Sequence, residues 1–219
     1  MRFSSVLMAG SALALIALPI AAGAEESSNG FEAGSILVRV RAIDVIPETS
    51  SSVSSIGGSA HVSDSTVPEI DGTYFFTPNI AVEEIAGVTY HTVKDVNSVA
   101  GTVPLGSVRL LPPTLTGQWH FMPKSNFSPY VGAGINYTFF YGVKGSTSPI
   151  VYSTHYSDNV GGAFQAGFDY HIKGNWYANV DVKYLILHTD VSLGTAVGHV
   201  KASVDLNPVI AGAGIGYKF

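Results

Sequence analysis

Between residues 128 and 141 the chain reads SPYVGAGINYTFFY, with Val131, Ala133, Ile135, Tyr137 and Phe139 alternating with Gly132, Gly134, Asn136 and Thr138. A period of two is the period of a strand, not of a helix. The same alternation recurs along the chain and predicts eight strands, at 34–44, 67–76, 80–90, 108–121, 128–141, 161–170, 176–187 and 202–219. The expected fold is therefore all-β, an eight-stranded antiparallel up-and-down barrel. Short linkers (77–79, 122–127, 171–175) alternate with long ones (45–66, 91–107, 142–160, 188–201) rich in Ser, Gly, Thr and Val. Short turns at one end and long loops at the other mark a transmembrane β-barrel.

Two kinds of barrel share that connectivity, and the faces separate them. A soluble barrel of lipocalin type points its apolar face inward. Here the apolar face carries aromatic residues at both strand ends. Tyr74, Phe76, Trp119, Phe121, Phe168, Tyr170, Trp176, Tyr217 and Phe219 fall at the short-turn end; Tyr90, Tyr137, Phe139, Tyr141 and Tyr184 fall at the other. Two aromatic belts around an aliphatic band fit a bilayer. With 46% hydrophobic and only 12% charged residues, the chain can spread such a surface over strands. Glu84 alone breaks the apolar face, so either a bulge re-aims it or it lies near an interface.

Residues 1–24 read as a secretory signal peptide: Arg2, an apolar run interrupted at Pro19, and the small-residue pattern Ala22-Gly23-Ala24, with cleavage expected after Ala24 and a barrel domain over 25–219. The chain has no cysteine, so stability must come from sheet and packing. A net charge of −5 without a basic cluster argues against nucleic acid as a partner.

The opposite face is polar and mixed in charge. Arg39, Arg41, Lys183 and Lys218 are expected to face Glu69, Asp71, Glu83, Asp169 and Asp181 in the lumen, because a buried charge needs a partner. An ion-paired plug follows, rather than a wide aqueous pore. Gly212, Gly214 and Gly216 on the last strand are expected to leave room for the two arginines. Few inward positions are apolar: Leu37, Ile85, Phe140 and Leu185, with Val160 at a loop edge. Several are expected above the charged layer, forming an apolar mouth. Pro68, Pro112, Pro113 and Pro208 weaken the wall near the outer strand ends, because proline cannot donate to a ladder.

LPPTLTGQWHF at 111–121 and PYVGAGINYTFF at 129–140, with FEAGS, NIAVE and the AGAGIGYKF ending, resemble the OmpW family of small outer-membrane proteins over essentially the whole mature chain. The resemblance implies an eight-stranded barrel in the outer membrane of a Gram-negative envelope, with a narrow channel associated with small hydrophobic compounds. Family members can place a Trp just before the sixth strand, where this chain has Val160. A last strand ending on Phe219 also looks like the signal read by the barrel assembly machinery.

Other motifs are weaker. GAGIG holds a G-x-G element, but no helix can follow it. The sequon at Asn136 falls inside a strand. Seven histidines lack the spacing of metal ligands, with His91, His155, His188 and His199 expected in loops. No serine is expected beside a histidine on the outward face, which argues against a lipid-modifying enzyme. No cofactor is implied. The resulting expectation is a channel that admits small hydrophobic molecules into an apolar outer vestibule and releases them laterally into the bilayer. The alternative is a structural or surface-interaction barrel without transport, since barrels of this size are usually filled by side chains.

Overall fold

The computed structural model describes residues 30–53, 58–98, 101–146, 151–195 and 198–219; the leader expected at 1–24 lies outside them. Eight antiparallel strands close a barrel: β1 (Ile36–Ile46), β4 (Ser65–Phe75), β5 (Ile80–Gly87), β8 (Thr114–His120), β9 (Phe127–Lys144), β11 (Asn159–Lys173), β12 (Trp176–Leu185) and β15 (Val209–Lys218). They are hydrogen-bonded in that order, and β15 returns to β1 through the register Arg39↔Gly216 and Arg41↔Gly214. Closure leaves no free edge, so backbone polar groups are satisfied strand to strand, as a bilayer requires. No helix among the described residues is long and apolar enough to cross a membrane.

The long connections are not loops. They form β2 (Ser50–Val53), β3 (Ser59–Val62), β6 (Thr89–Ser98), β7 (Gly101–Leu111), β10 (Val151–Tyr156), β13 (His188–Thr195) and β14 (Gly198–Asp205), which extend the wall outward. β3, β6 and β7 join the outer end of β9, while β10, β13, β14 and β2 form a separate four-stranded sheet. The expected strands at 80–90 and 108–121 are each broken. Pro112 and Pro113 have no N–H to give, so β7 ends at Leu111 and β8 begins at Thr114. Opposite them, the β5–β8 ladder stops at Ile85↔Thr114 and the β6–β7 ladder starts at Thr89↔Leu110. Three residues on each side, Ala86 to Val88 and Leu111 to Pro113, face one another without ladder pairing. The expected strand at 202–219 breaks likewise between Leu206 and Pro208, where Asn207 takes φ 31°.

The outer wall of the barrel is apolar and exposed, as at Ile135 (61%) and Phe164 (54%). Aromatic rings cluster at the short-turn end: Trp176 on Tyr217, Tyr217 on Phe219, Tyr74 on Phe76. Glu84 is exposed on this wall, in register with Gly72 and Leu115 and with no bulge in either ladder. Four residues above Ile80, which pairs with Trp119 of the lower belt, it stands well inside the apolar band.

The short-turn end is sealed by the segment before β1. The Phe31 ring is fully buried, stacked 4.3 Å from Phe75 and 5.0 Å from Tyr177, with His120 edge-on at 5.4 Å. The Phe31 N–H donates to the Pro123 carbonyl at 2.7 Å, and Lys218 Nζ donates to the Gly30 carbonyl at 2.7 Å. Lys218 thus fastens the N-terminal segment, two strand residues below the Gly216 level, instead of joining the lumenal acids.

Candidate functional site: an apolar vestibule above an ion-paired plug

The strand period turns Arg39 and Arg41 of β1 inward, where neither guanidinium reaches solvent. Arg39 Nε donates to Asp71 Oδ1 at 2.7 Å, Nη2 to Glu83 Oε1 at 2.7 Å and to Thr73 Oγ1 at 2.8 Å, and Nη1 to Asp169 Oδ1 at 3.1 Å. Arg41 Nη2 lies 2.8 Å from both Glu69 and Asp71 and 2.9 Å from Glu83. Lys183 pairs with Asp181 and stands 3.4 Å from Glu69. The second oxygen of Glu83 accepts from Gln165 Nε2 at 2.8 Å, Gln118 Nε2 at 3.0 Å and Thr116 Oγ1 at 3.2 Å. Eight of the nine charged residues expected to face one another in the lumen meet in one buried layer, Lys218 being the exception. Charge-assisted bonds of this density are strong together, and each charge is costly if left alone.

Glycines make the layer possible. A Cβ on Gly216 would fall 2.7 Å from Arg39 Cγ, and one on Gly214 would fall 2.8 Å from Arg41 Cγ. The third glycine differs from expectation: Gly212 faces Ile43, not an arginine.

Above the plug the lumen turns apolar. A cavity of about 70 Å³ has Glu69 and Lys183 in its lining, with Ile85, Phe140 and Leu185 in its walls as expected. Leu37 and Val160 are elsewhere. Leu37 lies below Arg39 and packs with Phe31, Phe75 and Tyr177 in the seal. Val160 is 63% exposed, because β11 already begins at Asn159 and the strand period puts Val160 on the outside with Phe164, opposite Tyr137. Part of the lining comes from segments that read as loops, including Val62, Val93, Leu105, Val191 and Leu193. These belong to one buried apolar cluster formed by the inner faces of the two outer sheets. His91, also expected in a loop, is a buried residue of β6 bonded to the Ser63 carbonyl and Thr89.

A serine does stand beside a histidine on the outward face, contrary to expectation. On the β13–β14 hairpin, His188 Nδ1 lies 2.8 Å from Asp205 Oδ1 and Nε2 lies 3.2 Å from Ser203 Oγ. In sequence 188–201 reads as a loop, and only the β13–β14 register, His188↔Asp205 and Asp190↔Ser203, brings the serine to the histidine. The arrangement is poor for nucleophilic chemistry. Ser203 Oγ donates to Asp190 Oδ1 at 3.1 Å, and the hydrogen bond to Asp205, with Asp190 nearby, raises the imidazole pKa above its ordinary value. The serine proton is thereby directed at Asp190 instead of the imidazole.

A closed eight-stranded barrel with a lipid-facing apolar wall, aromatic rings at its ends and a buried polar lumen defines a small outer-membrane β-barrel protein. The sequence matches the OmpW family over residues 32–219, and the chain belongs to that family. It is 42% identical over 184 residues to an uncharacterised outer-membrane protein, y4mB, of Sinorhizobium fredii, covering 83% of this chain and 79% of that one. It is 33% identical to outer membrane protein W of Escherichia coli, covering 94% and 99%. It is 29% identical to the dibenzothiophene metabolism operon protein PahQ of Pseudomonas aeruginosa, covering 74% and 76%. Among solved structures, the outer membrane protein OprG of Pseudomonas aeruginosa superimposes with a TM-score of 0.81 at 29% identity, covering 87% of this chain and 98% of that one. The protein is thus an outer-membrane protein embedded in the bilayer.

Proposed function

We propose that this barrel is a channel for passive passage of small hydrophobic molecules, which enter the vestibule from outside and leave sideways into the bilayer. The observation that carries the reading is the abrupt change along the lumen, from an apolar wall to a floor of paired charges at Glu69 and Lys183. Apolar lining favours a greasy solute by burial of its surface. The straight path down the axis is blocked twice, by the ion pairs around Glu83 and by the Phe31 seal. The wall break at Ala86 to Val88 and Leu111 to Pro113 lies beside Ile85, Pro112 and Thr114 of the vestibule lining, so a side exit needs little unpairing there. A family relative carrying the name of a dibenzothiophene metabolism operon fits an apolar cargo.

Ile85→Asp tests the route. A carboxylate at that position puts an unpaired charge on the path of an apolar guest, while the lipid wall is untouched. The variant is expected to keep the heat-dependent gel shift of a folded barrel and to lose uptake of a fluorescent hydrophobic probe by cells. Unchanged uptake by the folded variant would transfer the reading to a structural barrel without transport.

A further inference from the structure

Strand register sorts the outward face of β6, β7 and the outer end of β9 into rows. Arg109 of β7 pairs with Tyr90 on one side and with Tyr141 on the other. One row further out, Ser107 pairs with Thr92 and with Lys144, and Lys94 stands one row beyond, opposite His61. Arg109, Lys144 and Lys94 are all exposed. The Arg109 stem lies over Gly142, where a Cβ would come 3.5 Å from Cδ, so the stem leans from its own row toward that of Lys144. No Asp or Glu occupies these outward rows among the described residues. The bordering carboxylates are Asp64, in the link from β3 to β4, and Asp158, which accepts the Phe140 N–H at 2.9 Å. Cations stay in excess. The aromatic belts set their height. Trp119 of the lower belt pairs with Val131, and Tyr141 lies ten residues further along β9. At about 3.3 Å per residue and a tilt of about 40°, that is about 25 Å along the membrane normal, the height of the apolar band of an outer-membrane barrel. Arg109 therefore stands at the outer interface between two amphipathic rings, with Lys144 about 5 Å and Lys94 about 10 Å above it.

We propose that this face binds a phosphate-bearing glycolipid of the outer leaflet, held by Arg109 and Lys144 with Lys94 above them. The site is independent of the vestibule and of what passes through it. A guanidinium presents paired N–H donors to phosphate oxygens, and each lysine adds a point charge. Cations spread over about 10 Å of height suit phosphates carried on a sugar head group better than a single phosphodiester. Below the head group, the acyl chains descend along the exposed wall at Tyr137, Ile135 and Leu115. A free phosphate ion gains nothing from that apolar contact. The other outer sheet offers no such place, because there His188, four residues beyond Tyr184 of the outer belt, shares its face with Asp190 and Asp205. Carboxylates at that level repel a phosphate, so the lipid sits on one side of the barrel.

The test is binding of bisphosphorylated lipid A to the purified barrel in neutral detergent, counted by native mass spectrometry. Arg109→Gln with Lys144→Gln removes two charges from the exposed face, and Lys124→Gln with Lys173→Gln, exposed at the short-turn end, is the matched control. A heat-dependent gel shift certifies folding, and Lys144→Gln alone carries the test should the double variant fail to insert. Losing a charged hydrogen bond lowers affinity about tenfold or more. The Arg109–Lys144 double variant is therefore expected to bind lipid A at least about tenfold more weakly than wild type, with the control unchanged and dephosphorylated lipid A bound weakly by all three. Equal binding of lipid A by wild type and the folded variant, an equal loss in the control, or equal binding of the two lipids by wild type overturns the site. Displacement of lipid A by inorganic phosphate at the same concentration overturns the lipid as its occupant and leaves a free-anion site.

Discussion

Arg39 Nη2 and Glu83 Oε1 lie 2.7 Å apart with neither side chain reaching solvent. Glu83 also holds Arg41 and three neutral donors, so removing it takes one carboxylate partner from two buried guanidinium groups at once. Breaking a buried pair from one side costs about 3–5 kcal/mol, whereas replacing both partners by apolar groups can be nearly neutral. Arg39→Met and Glu83→Leu are each expected to lower the unfolding temperature of the barrel in detergent, and the double variant to lose less than their sum. Strictly additive losses would contradict the pairing.

Phe31 fills a closed aromatic site, and truncating a buried Phe costs about 3–5 kcal/mol. Phe31→Ala is therefore expected to unfold at a lower temperature. Its conductance in planar bilayers should stay near that of wild type, because the ion pairs above it still block the axis. A marked rise in small-ion conductance would show that the seal, not the plug, closes the lumen.

Glu84 faces lipid without a bulge to turn it away. Charged groups on that face of a barrel destabilise in a depth-dependent way, acids less than Lys or Arg. Glu84→Leu is expected to raise the temperature needed for the unfolding gel shift. A lower temperature would mean that the carboxylate has a partner in the membrane.

His188 on the β13–β14 hairpin has its pKa raised first by the hydrogen bond it donates to Asp205 and further by Asp190. Because the folded value lies above the unfolded one of about 6.5, this contribution to the hairpin is full below that value and is lost as pH rises through the raised value. Amide exchange in 188–205 should quicken over that window, and His188→Gln should flatten the dependence. Exchange that slows with pH relative to the intrinsic rate, or ignores His188→Gln, would contradict it.

The barrel and its plug were legible in the sequence because strand period fixes which side chains share a face. Arg39, Arg41, Glu69, Asp71, Glu83, Asp169, Asp181 and Lys183 all follow from that parity alone. Parity says nothing of height, which is why Leu37 was expected in the vestibule and stands in the seal. The vestibule was hidden in its outermost part. Part of its wall comes from HTDVSLGT, whose Ser, Thr and Gly residues read as loop although Thr189, Val191 and Leu193 keep the strand period opposite Val204, Ala202 and Val200. Outside the bilayer the outward positions are polar, so the apolar face that marks a membrane strand inverts there, and a search for lipid-facing alternation passes over it. The contacts of Phe31 and Ser203 depend on pairing between separate segments, which no local pattern carries.

The side exit is tested most directly by stapling it. The chain has no cysteine, so Gly87→Cys with Pro112→Cys places a single thiol pair across the unpaired stretch of wall between the β5–β8 and β6–β7 ladders. Uptake of a hydrophobic probe is measured in cells carrying this variant, oxidised and then reduced, with the crosslink verified by mass. The account predicts that the oxidised form loses uptake and that reduction restores it; full uptake through a completely crosslinked barrel would contradict lateral release at this seam.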